Sequence, residues 1–294
     1  MSEPHIGPRL NVLVAWPYVK SDVLRALIEM GDSCRFLLDS GAFTAWKAGK
    51  VLALDDYCRF LESLPVKPWR YFALDVIGNA DATQRNYQTM LDRGFRPIPV
   101  FTRGADPAEL DRLYETSEVV GLGGVAKADK GAYAWTRWAM QHVAGRKAHI
   151  LGFTNLDWIK YLRPYSVDSS SWGRARRYGW LDVYRGHGTM GRVMVHEIRK
   201  KKRPSPVIEA ALRAVDYDAA RLTEDSTWRS EGPLSAHAAS TRGWIACSAD
   251  FERHQNVLLF FAAASGADIA TLRAARATLT AIRHPSLRPL DAAA

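Results

Sequence analysis

Cysteine is scarce in this sequence, and long apolar runs are missing. The three cysteines, Cys34, Cys58 and Cys247, lie far apart with neither CxxC nor CxxxCxxC spacing. This excludes a disulfide framework and a cysteine-ligated radical iron–sulfur site. The longest apolar run, Val257–Ala264, is too short for the roughly 20 residues of a membrane-spanning helix. The first residues also lack the composition of a secretory signal. We therefore expect a cytoplasmic protein with reduced thiols and no membrane contact.

Motifs of other common enzyme classes are missing as well. The histidines form no HxH pair for a hydrolytic metal centre, and Ser169–Ser171 lies outside any GxSxG turn that would present a nucleophilic serine. No GxGxxG follows the first apolar run, which disfavours a Rossmann fold. The glycine-rich stretch Gly186–Gly191 lacks a P-loop lysine. We interpret it as an ordinary loop, with a mobile phosphate-contacting loop as the alternative.

Positive charge is concentrated in one part of the chain. Residues 160–203 contain twelve Lys or Arg and three acidic residues, and the rest of the chain has 28 basic and 28 acidic residues, so this segment accounts for the net charge of +9. A neutral body with one basic stretch is typical of a protein that binds nucleic acid. The alternative is a solvated surface run. The side chains expected on a nucleic-acid backbone are Arg174, Arg176, Arg177, Arg199, Lys200, Lys201, Lys202 and Arg203.

Short apolar runs alternate with amphipathic helical patterns from residue 10 to residue 170. The strand-like runs are Leu10–Trp16, Phe36–Asp39, Tyr71–Asp75, Arg96–Phe101, Val119–Gly124, Ala148–Phe153 and Tyr165–Asp168. Such alternation predicts parallel strands joined by right-handed crossovers. An α/β fold with a TIM (β/α)8 barrel accounts for it best. The missing eighth strand is expected from Leu181–Tyr184, from Val193–Val195 or from an N-terminal piece.

The amino-acid composition changes near Ser205, after which alanine and leucine become the most frequent residues. Helices are predicted over Val207–Val215 and His254–Ala264. We therefore expect a barrel domain over residues 1–204, including the basic segment 160–203. Residues 205–294 are expected to form a helical C-terminal extension that packs on the barrel.

Three of the strand-like runs end in an aspartate. Asp39, Asp75 and Asp168 would all lie at the carboxyl end of the barrel, where barrel enzymes have their active sites. Each alone could instead cap a helix or turn the chain. Two carboxylates beside one sugar carbon can act as nucleophile and as general acid/base in a retaining glycosyl transfer. A third can accept hydrogen bonds from a heterocycle, and Gly123 and Gly124 would let backbone approach a flat ring.

Four motifs, in the correct order over about residues 30–175, resemble those of the tRNA-guanine transglycosylase superfamily. Asp39-Ser40-Gly41-Ala42-Phe43 resembles its DSGGF motif, and Gly123-Gly124-Val125-Ala126 resembles its GGLA segment. Ile150-Leu151-Gly152-Phe153 resembles the strand before the nucleophile. Asp168-Ser169-Ser170-Ser171-Trp172 resembles the archaeal type of nucleophile motif.

The resemblance implies a TIM-barrel glycosyltransferase that exchanges guanine in a nucleic acid for a 7-deazaguanine. It makes Asp168 the nucleophile and Asp39 the residue that binds the base and handles its proton. Asp75 would bind the guanine edge, and Gly123 and Gly124 the incoming base. Ser40 and Gly41 would lie in the same base site, where Phe43 or Trp46 could stack on the ring.

The sequence also departs from that superfamily. Val100-Phe101-Thr102 stands where a glutamine is expected before the GGLA segment, Ala42 replaces the second glycine, and Thr44 stands where bacterial members have glutamine. The closely spaced cysteines of the superfamily's zinc site are missing, since only Cys247 follows Asp168. We therefore expect no metal and no cofactor.

A zinc-less branch of this superfamily acts on DNA, and this sequence is most similar to it. These are the DNA-guanine transglycosylases of phages and bacterial genome-defence clusters, whose modified bases imply an anti-restriction role. The expected substrates are DNA and a free 7-deazaguanine similar to preQ0, with accessory proteins as possible partners and the host cytoplasm as location if a phage encodes the protein. The alternatives are a tRNA-guanine transglycosylase and a non-catalytic nucleic-acid-binding barrel.

Overall fold

The computed structural model describes residues 9–124, 130–174, 178–201, 203–229 and 232–287. Its strands are β1 (Leu10–Ala15), β2 (Cys34–Asp39), β3 (Arg70–Tyr71), β4 (Val100–Thr102), β5 (Val119–Gly123), β6 (Lys147–Ile150), β7 (Ser166–Ser169), β8 (Trp180–Tyr184), β9 (Met190–Met194) and β10 (Leu258–Ala263). Eight of them form one parallel sheet in the order β3-β2-β1-β10-β7-β6-β5-β4, and β8 pairs with β9 in an antiparallel hairpin. The protein is therefore of the α/β class.

Helices join the parallel strands in chain order. They are α1 (Ser21–Met30), α2 (Ala42–Lys47), α3 (Leu54–Ser63), α4 (Ala80–Asp92), α5 (Pro107–Thr116), α6 (Lys130–Val143), α7 (Leu156–Leu162), α8 (Val195–Lys201), α9 (Pro206–Ala214), α10 (Asp225–Arg229), α11 (Ala236–Gln255) and α12 (Gly266–Ala281). Within the ranges given above, no helix is both long and apolar enough to cross a membrane.

The predicted alternation of strands and helices is confirmed, because local sequence signals set most of these elements. In α4, Thr83, Tyr87 and Met90 recur at helical spacing and are the buried residues. Asp106 caps α5 by accepting a hydrogen bond from the Ala108 amide, with proline at the first helical position. The predicted strand Tyr71–Asp75 is shorter than expected, since β3 ends at Tyr71.

The eighth strand of the sheet comes from a part of the chain where a helix was expected. The predicted helix His254–Ala264 is wrong, because α11 ends at Gln255 and Leu258–Ala263 form β10 between β1 and β7. The candidates Leu181–Tyr184 and Val193–Val195 are also wrong, since they belong to the hairpin or to the start of α8. A parallel strand buried on both faces is a continuous apolar run, which its sequence pattern alone does not distinguish from a buried helix.

The sheet is strongly curled. Phe72 directly after one edge strand, β3, and Ile98 shortly before the other, β4, form one parallel bridge, and the Ala73 amide donates to the Ile98 carbonyl at 2.9 Å. Side chains from β1, β2, β4, β5 and β10 join Phe72 in a single buried apolar cluster. A flat sheet with strands about 4.8 Å apart would keep its edges far from each other. The second, larger cluster lies between the sheet and the helices.

The C-terminal part of the chain is built into this core. The helix α11 is buried along most of its length and packs against β8, β10 and α12, and α12 also packs on α1. Arg242 of α11 is 4% exposed and donates to the carbonyls of Val215, Asp216 and Pro233. The segment after residue 205 is thus partly helical, as expected, but it also supplies a strand of the sheet.

Candidate active site

Three aspartates lie at the carboxyl end of the parallel sheet. Asp39 is the last residue of β2, Asp168 lies near the end of β7, and Asp75 follows β3 by a few residues. Because the strands are parallel, their carboxyl ends share one edge of the sheet. The structure thus brings together the three acids that the sequence singled out.

Asp39 is an acid with a strongly raised pKa. Burial, together with the charges on Asp75 and Asp168, raises its pKa to about 7, although the backbone amides of Gly41 and Ser40 act to lower it. The Gly41 amide lies 3.2 Å from the Asp39 Oδ2. A carboxyl group that titrates near neutral pH can both give and take a proton under physiological conditions.

Asp75 is connected to the β2 turn through Ser40. The fully buried Ser40 hydroxyl donates to the Asp75 Oδ1 at 2.9 Å and accepts a hydrogen bond from the Ala42 amide at 3.3 Å. Burial raises the pKa of Asp75, and the Ser40 hydrogen bond opposes that rise. Ser40 therefore holds Asp75 against the turn that carries Asp39.

Asp168 is held by two groups through a single oxygen. Its Oδ1 accepts a hydrogen bond from the Gly152 amide at 2.6 Å and lies 3.2 Å from the His149 Nε2. Among the described residues, none bonds its Oδ2. Asp168 is 8% exposed. One carboxylate oxygen is thus fixed, and the other is left for an incoming group.

His149 is the residue that the sequence did not reveal as part of the site. It is fully buried on β6, its Nδ1 lies 2.8 Å from the Ser166 Oγ, and its ring packs edge-on against Phe72. In the sequence His149 belongs to no HxH pair, and none of the motifs includes it. A usable signal was the alternation of Ser166 and Asp168 on the neighbouring strand, because two inward polar side chains need a polar partner across the sheet.

Gly41 is required by the shape of the turn after β2. Its φ of +78° is left-handed, and a Cβ atom there would lie 2.3 Å from the Pro17 Cδ. Only glycine combines that backbone conformation with such close packing. This turn directs the Gly41 amide at Asp39, which links the glycine of the DSGAF sequence directly to the site.

The two predicted glycines after β5 have different surroundings. Gly123 is buried, and a Cβ there would lie 2.9 Å from the Val100 Cγ1. Gly124 is exposed with a φ of +84°, and a Cβ there would meet the Arg103 Cβ at 2.8 Å. Both positions therefore need glycine for packing or backbone reasons. Val125 and Ala126 of the same motif lie outside the described residues.

The aromatic residues of α2 stack on each other. The rings of Phe43 and Trp46 are 6.0 Å apart at 23°, and the Lys47 Nζ lies 4.4 Å from the Phe43 ring centroid. Phe43 is half-buried, whereas Trp46 is 49% exposed. This aromatic pair follows directly after the DSG turn.

The predicted nucleic-acid contacts are only partly described. Arg174 is half-buried, and Lys200 on α8 is exposed. Arg203 pairs with Glu209 at 3.2 Å and borders a groove of about 690 Å³ that contains none of the three aspartates. Arg176, Arg177 and Lys202 lie outside the described residues, and Arg199 and Lys201 are described only by their backbone on α8.

Neither a scan against protein-family models nor a search of curated proteins finds a match for this chain.

In the part of the chain that the structure describes, no group of three or more His, Cys, Asp or Glu side chains is arranged to hold a metal ion. The arrangement of the acids and the motifs that carry them are the basis for a functional assignment.

Proposed function

We propose that this protein is a DNA-guanine transglycosylase, which replaces guanine in DNA by a 7-deazaguanine through a covalent aspartyl-glycosyl intermediate. The observation that carries the proposal is the setting of Asp168. One of its oxygens is fixed by Gly152 and His149, and the other is unbonded by described residues. Nearby lies Asp39, a carboxyl group whose pKa is raised to about 7.

We further propose that the curled sheet is a TIM (β/α)8 barrel. The bridge between Phe72 and Ile98 beside the two edge strands supports this fold, as does the shared cluster of inward side chains from most of the strands. In such a barrel the inward residues of alternate strands form layers, and the active site lies above them at the carboxyl ends.

The first half of the proposed reaction breaks the bond to guanine. The free Oδ2 of Asp168 attacks C1′ of the target nucleotide, and the C1′–N9 bond breaks as its electrons pass to the base. Protonated Asp39 gives its proton to the departing guanine. Near neutral pH a carboxyl group with a pKa of about 7 is protonated in a substantial fraction of the molecules.

The second half reverses these roles with a different base. The 7-deazaguanine loses its N9 proton to the Asp39 carboxylate, and N9 attacks C1′ and displaces Asp168. Two inversions at C1′ give net retention. Asp75, held by Ser40, is positioned in this proposal to accept hydrogen bonds from the N–H groups of the guanine edge. Phe43 or Trp46 would stack on the base, and Gly123 and Gly124 would border it.

The basic segment 160–203 favours a nucleic acid as the polymer substrate. The resemblance to the zinc-less branch favours DNA over tRNA. A base inside a duplex is inaccessible, so single-stranded or transiently unpaired DNA is expected to react best. The alternatives are exchange in tRNA and a barrel that binds nucleic acid without catalysis.

The test is incorporation of a labelled 7-deazaguanine into DNA and into unmodified tRNA. Wild type and Asp168→Ala are compared side by side, with Asp32→Ala as an exposed control outside the site. We expect label in DNA with wild type and with the control, and none with Asp168→Ala. Label in tRNA alone would favour the first alternative, and label in neither polymer would contradict the proposed reaction.

A further inference from the structure

A stack of one cation and two aromatic rings lies at the hairpin formed by β8 and β9, with Tyr178 just before the first residue of β8. The rings of Tyr178 and Trp180 are 5.1 Å apart at an interplanar angle of 26°. The Arg192 Cζ lies 4.1 Å from the Trp180 ring centroid. The indole therefore contacts both a tyrosine ring and a guanidinium group.

The arginine of this stack is held in place from inside the protein. Asp182 is 2% exposed and accepts hydrogen bonds from the Arg192 Nε at 3.1 Å and from the Trp244 Nε1 at 3.2 Å. The Arg192 side chain is 44% exposed, and no described residue bonds its two terminal nitrogens. A guanidinium fixed through Nε presents those nitrogens in the geometry that suits a phosphate.

The tyrosine presents an open aromatic surface. Tyr178 is 61% exposed, although one face of its ring lies against Trp180. The other face is therefore available to a flat partner. An exposed ring beside a preorganised arginine matches the two parts of a nucleotide, since the base stacks on the ring and the phosphate binds the guanidinium.

The chain connects this stack to the proposed nucleophile. After Asp168 a short 3-10 turn carries Trp172, which stacks on His237 of α11. The same helix carries Trp244, which bonds Asp182 beneath Arg192. The buried helix α11 thus supports both the turn after Asp168 and the hairpin.

We propose that Tyr178, Trp180 and Arg192 form a platform that binds one unpaired nucleotide of a DNA strand. A neighbouring nucleotide of the same strand carries the target base, which enters the site lined by the three aspartates. The platform depends on the proposed function for its role. It selects single strands, because the bases of a duplex already stack on each other and present no free face. Tyr178 supplies stacking, and Arg192 supplies one phosphate contact.

The test measures binding of a fluorescently labelled single-stranded oligodeoxynucleotide by anisotropy, with no free base present. Tyr178→Ala is expected to weaken binding about tenfold, and Tyr178→Phe is expected to bind like wild type because it keeps the ring. Arg192→Gln is expected to lower the slope of log K against log salt by about 0.7, the value for one phosphate on a single strand. The affinity for a duplex of the same sequence is expected to be unchanged by all of these substitutions.

The matched control is Tyr161→Ala. Tyr161 is as exposed as Tyr178, at 66%, but packs edge-on against Trp158. Equal binding by the Tyr178→Ala and Tyr161→Ala variants would overturn the platform. Failure of any oligonucleotide to bind would overturn it as well and would favour a protein partner for this face, and tighter binding of the matched oligoribonucleotide would overturn the assignment to DNA.

The same variants separate the platform from the proposed reaction. Base exchange with an unchanged KM for DNA in Tyr178→Ala would contradict the platform alone. Loss of single-strand binding in Tyr178→Ala together with no base exchange by wild type would support the platform and contradict the reaction. If both proposals hold, Tyr178→Ala raises the KM for DNA and leaves kcat unchanged.

Discussion

The His149 Nε2 lies 3.2 Å from the Asp168 Oδ1 at the buried end of the site. The other ring nitrogen, Nδ1, lies 2.8 Å from the Ser166 Oγ. Ser166, His149 and Asp168 thus form a line in which each group orients the next, and the carboxylate is fixed from within the sheet.

We expect His149→Phe to lower the kcat of base exchange by up to about a hundredfold, because small displacements of a nucleophile are costly. The phenyl ring keeps the packing against Phe72 and removes both hydrogen bonds. Ser166→Ala leaves the contact with Asp168 and is expected to have a smaller effect. Steady-state kinetics with a parallel unfolding measurement distinguish positioning from loss of folded protein. Wild-type kcat in the folded His149→Phe variant would contradict this role.

The raised pKa of Asp39 makes stability depend on pH. The folded protein holds a proton up to about pH 7, whereas the unfolded chain releases it near 3.8. The contribution of protonated Asp39 to the free energy of unfolding is therefore fully present below about pH 4 and is lost as the pH rises to about 7. Asp39→Asn is expected to reduce that loss.

The measurement is urea unfolding of wild type and Asp39→Asn across that pH range. Part of the dependence of the unfolding free energy on pH is expected to remain in Asp39→Asn, because burial raises the pKa of Asp75 as well. Asp32→Asn serves as the control, because Asp32 is an exposed carboxylate before the first residue of β2, at the opposite end of that strand from Asp39. Identical slopes for wild type and Asp39→Asn would show that Asp39 is not a buried, perturbed acid.

Gly41→Ala is expected to destabilise the protein for two separable reasons. The added Cβ would overlap the Pro17 Cδ, and the left-handed φ of +78° is unfavourable for alanine. We expect a loss of about 2–4 kcal/mol in the free energy of unfolding. Gly49→Ala has a similar φ of +66° with nothing within 4 Å, so it is expected to lose only about 1 kcal/mol.

A double-mutant cycle with Pro17→Ala isolates the overlap. The double variant is expected to recover the steric part of the loss and to retain the backbone part. Additive effects of the two substitutions would mean that Gly41 and Pro17 do not clash as described.

Phe260→Ala tests whether the C-terminal region belongs to the core. Phe260 lies fully buried on β10 and stacks on Trp69, so its truncation is expected to cost about 3–5 kcal/mol. The exposed Val207→Ala on α9 is expected to change stability by less than about 0.5 kcal/mol. One cooperative unfolding transition that Phe260→Ala shifts as a whole is the expected result, whereas two transitions would indicate a separate C-terminal domain.

Much of the fold could be predicted from local pattern. Helices such as α4 follow from the spacing of their apolar residues, and α5 begins where Asp106 and proline start it. The position of Asp39 at a strand end was equally visible, because an apolar run that stops at a carboxylate is a property of neighbouring residues. These features depend on contacts within a few positions of the chain.

Other features depend on which distant segments meet. Residues Leu258–Ala263 are a strand only because β1 and β7 supply hydrogen-bonding partners on both sides. His149 is a partner of Asp168 because the register of β6 and β7 sets it beside Ser166. The raised pKa of Asp39 comes from burial and from two other carboxylates, Asp75 after β3 and Asp168 on β7. Sequence alone determined where the acids stand along the chain. Only the tertiary structure decided the raised pKa of Asp39 and the hydrogen-bond partners of Asp75 and Asp168, because these arise from groups that are far apart in sequence and close in space.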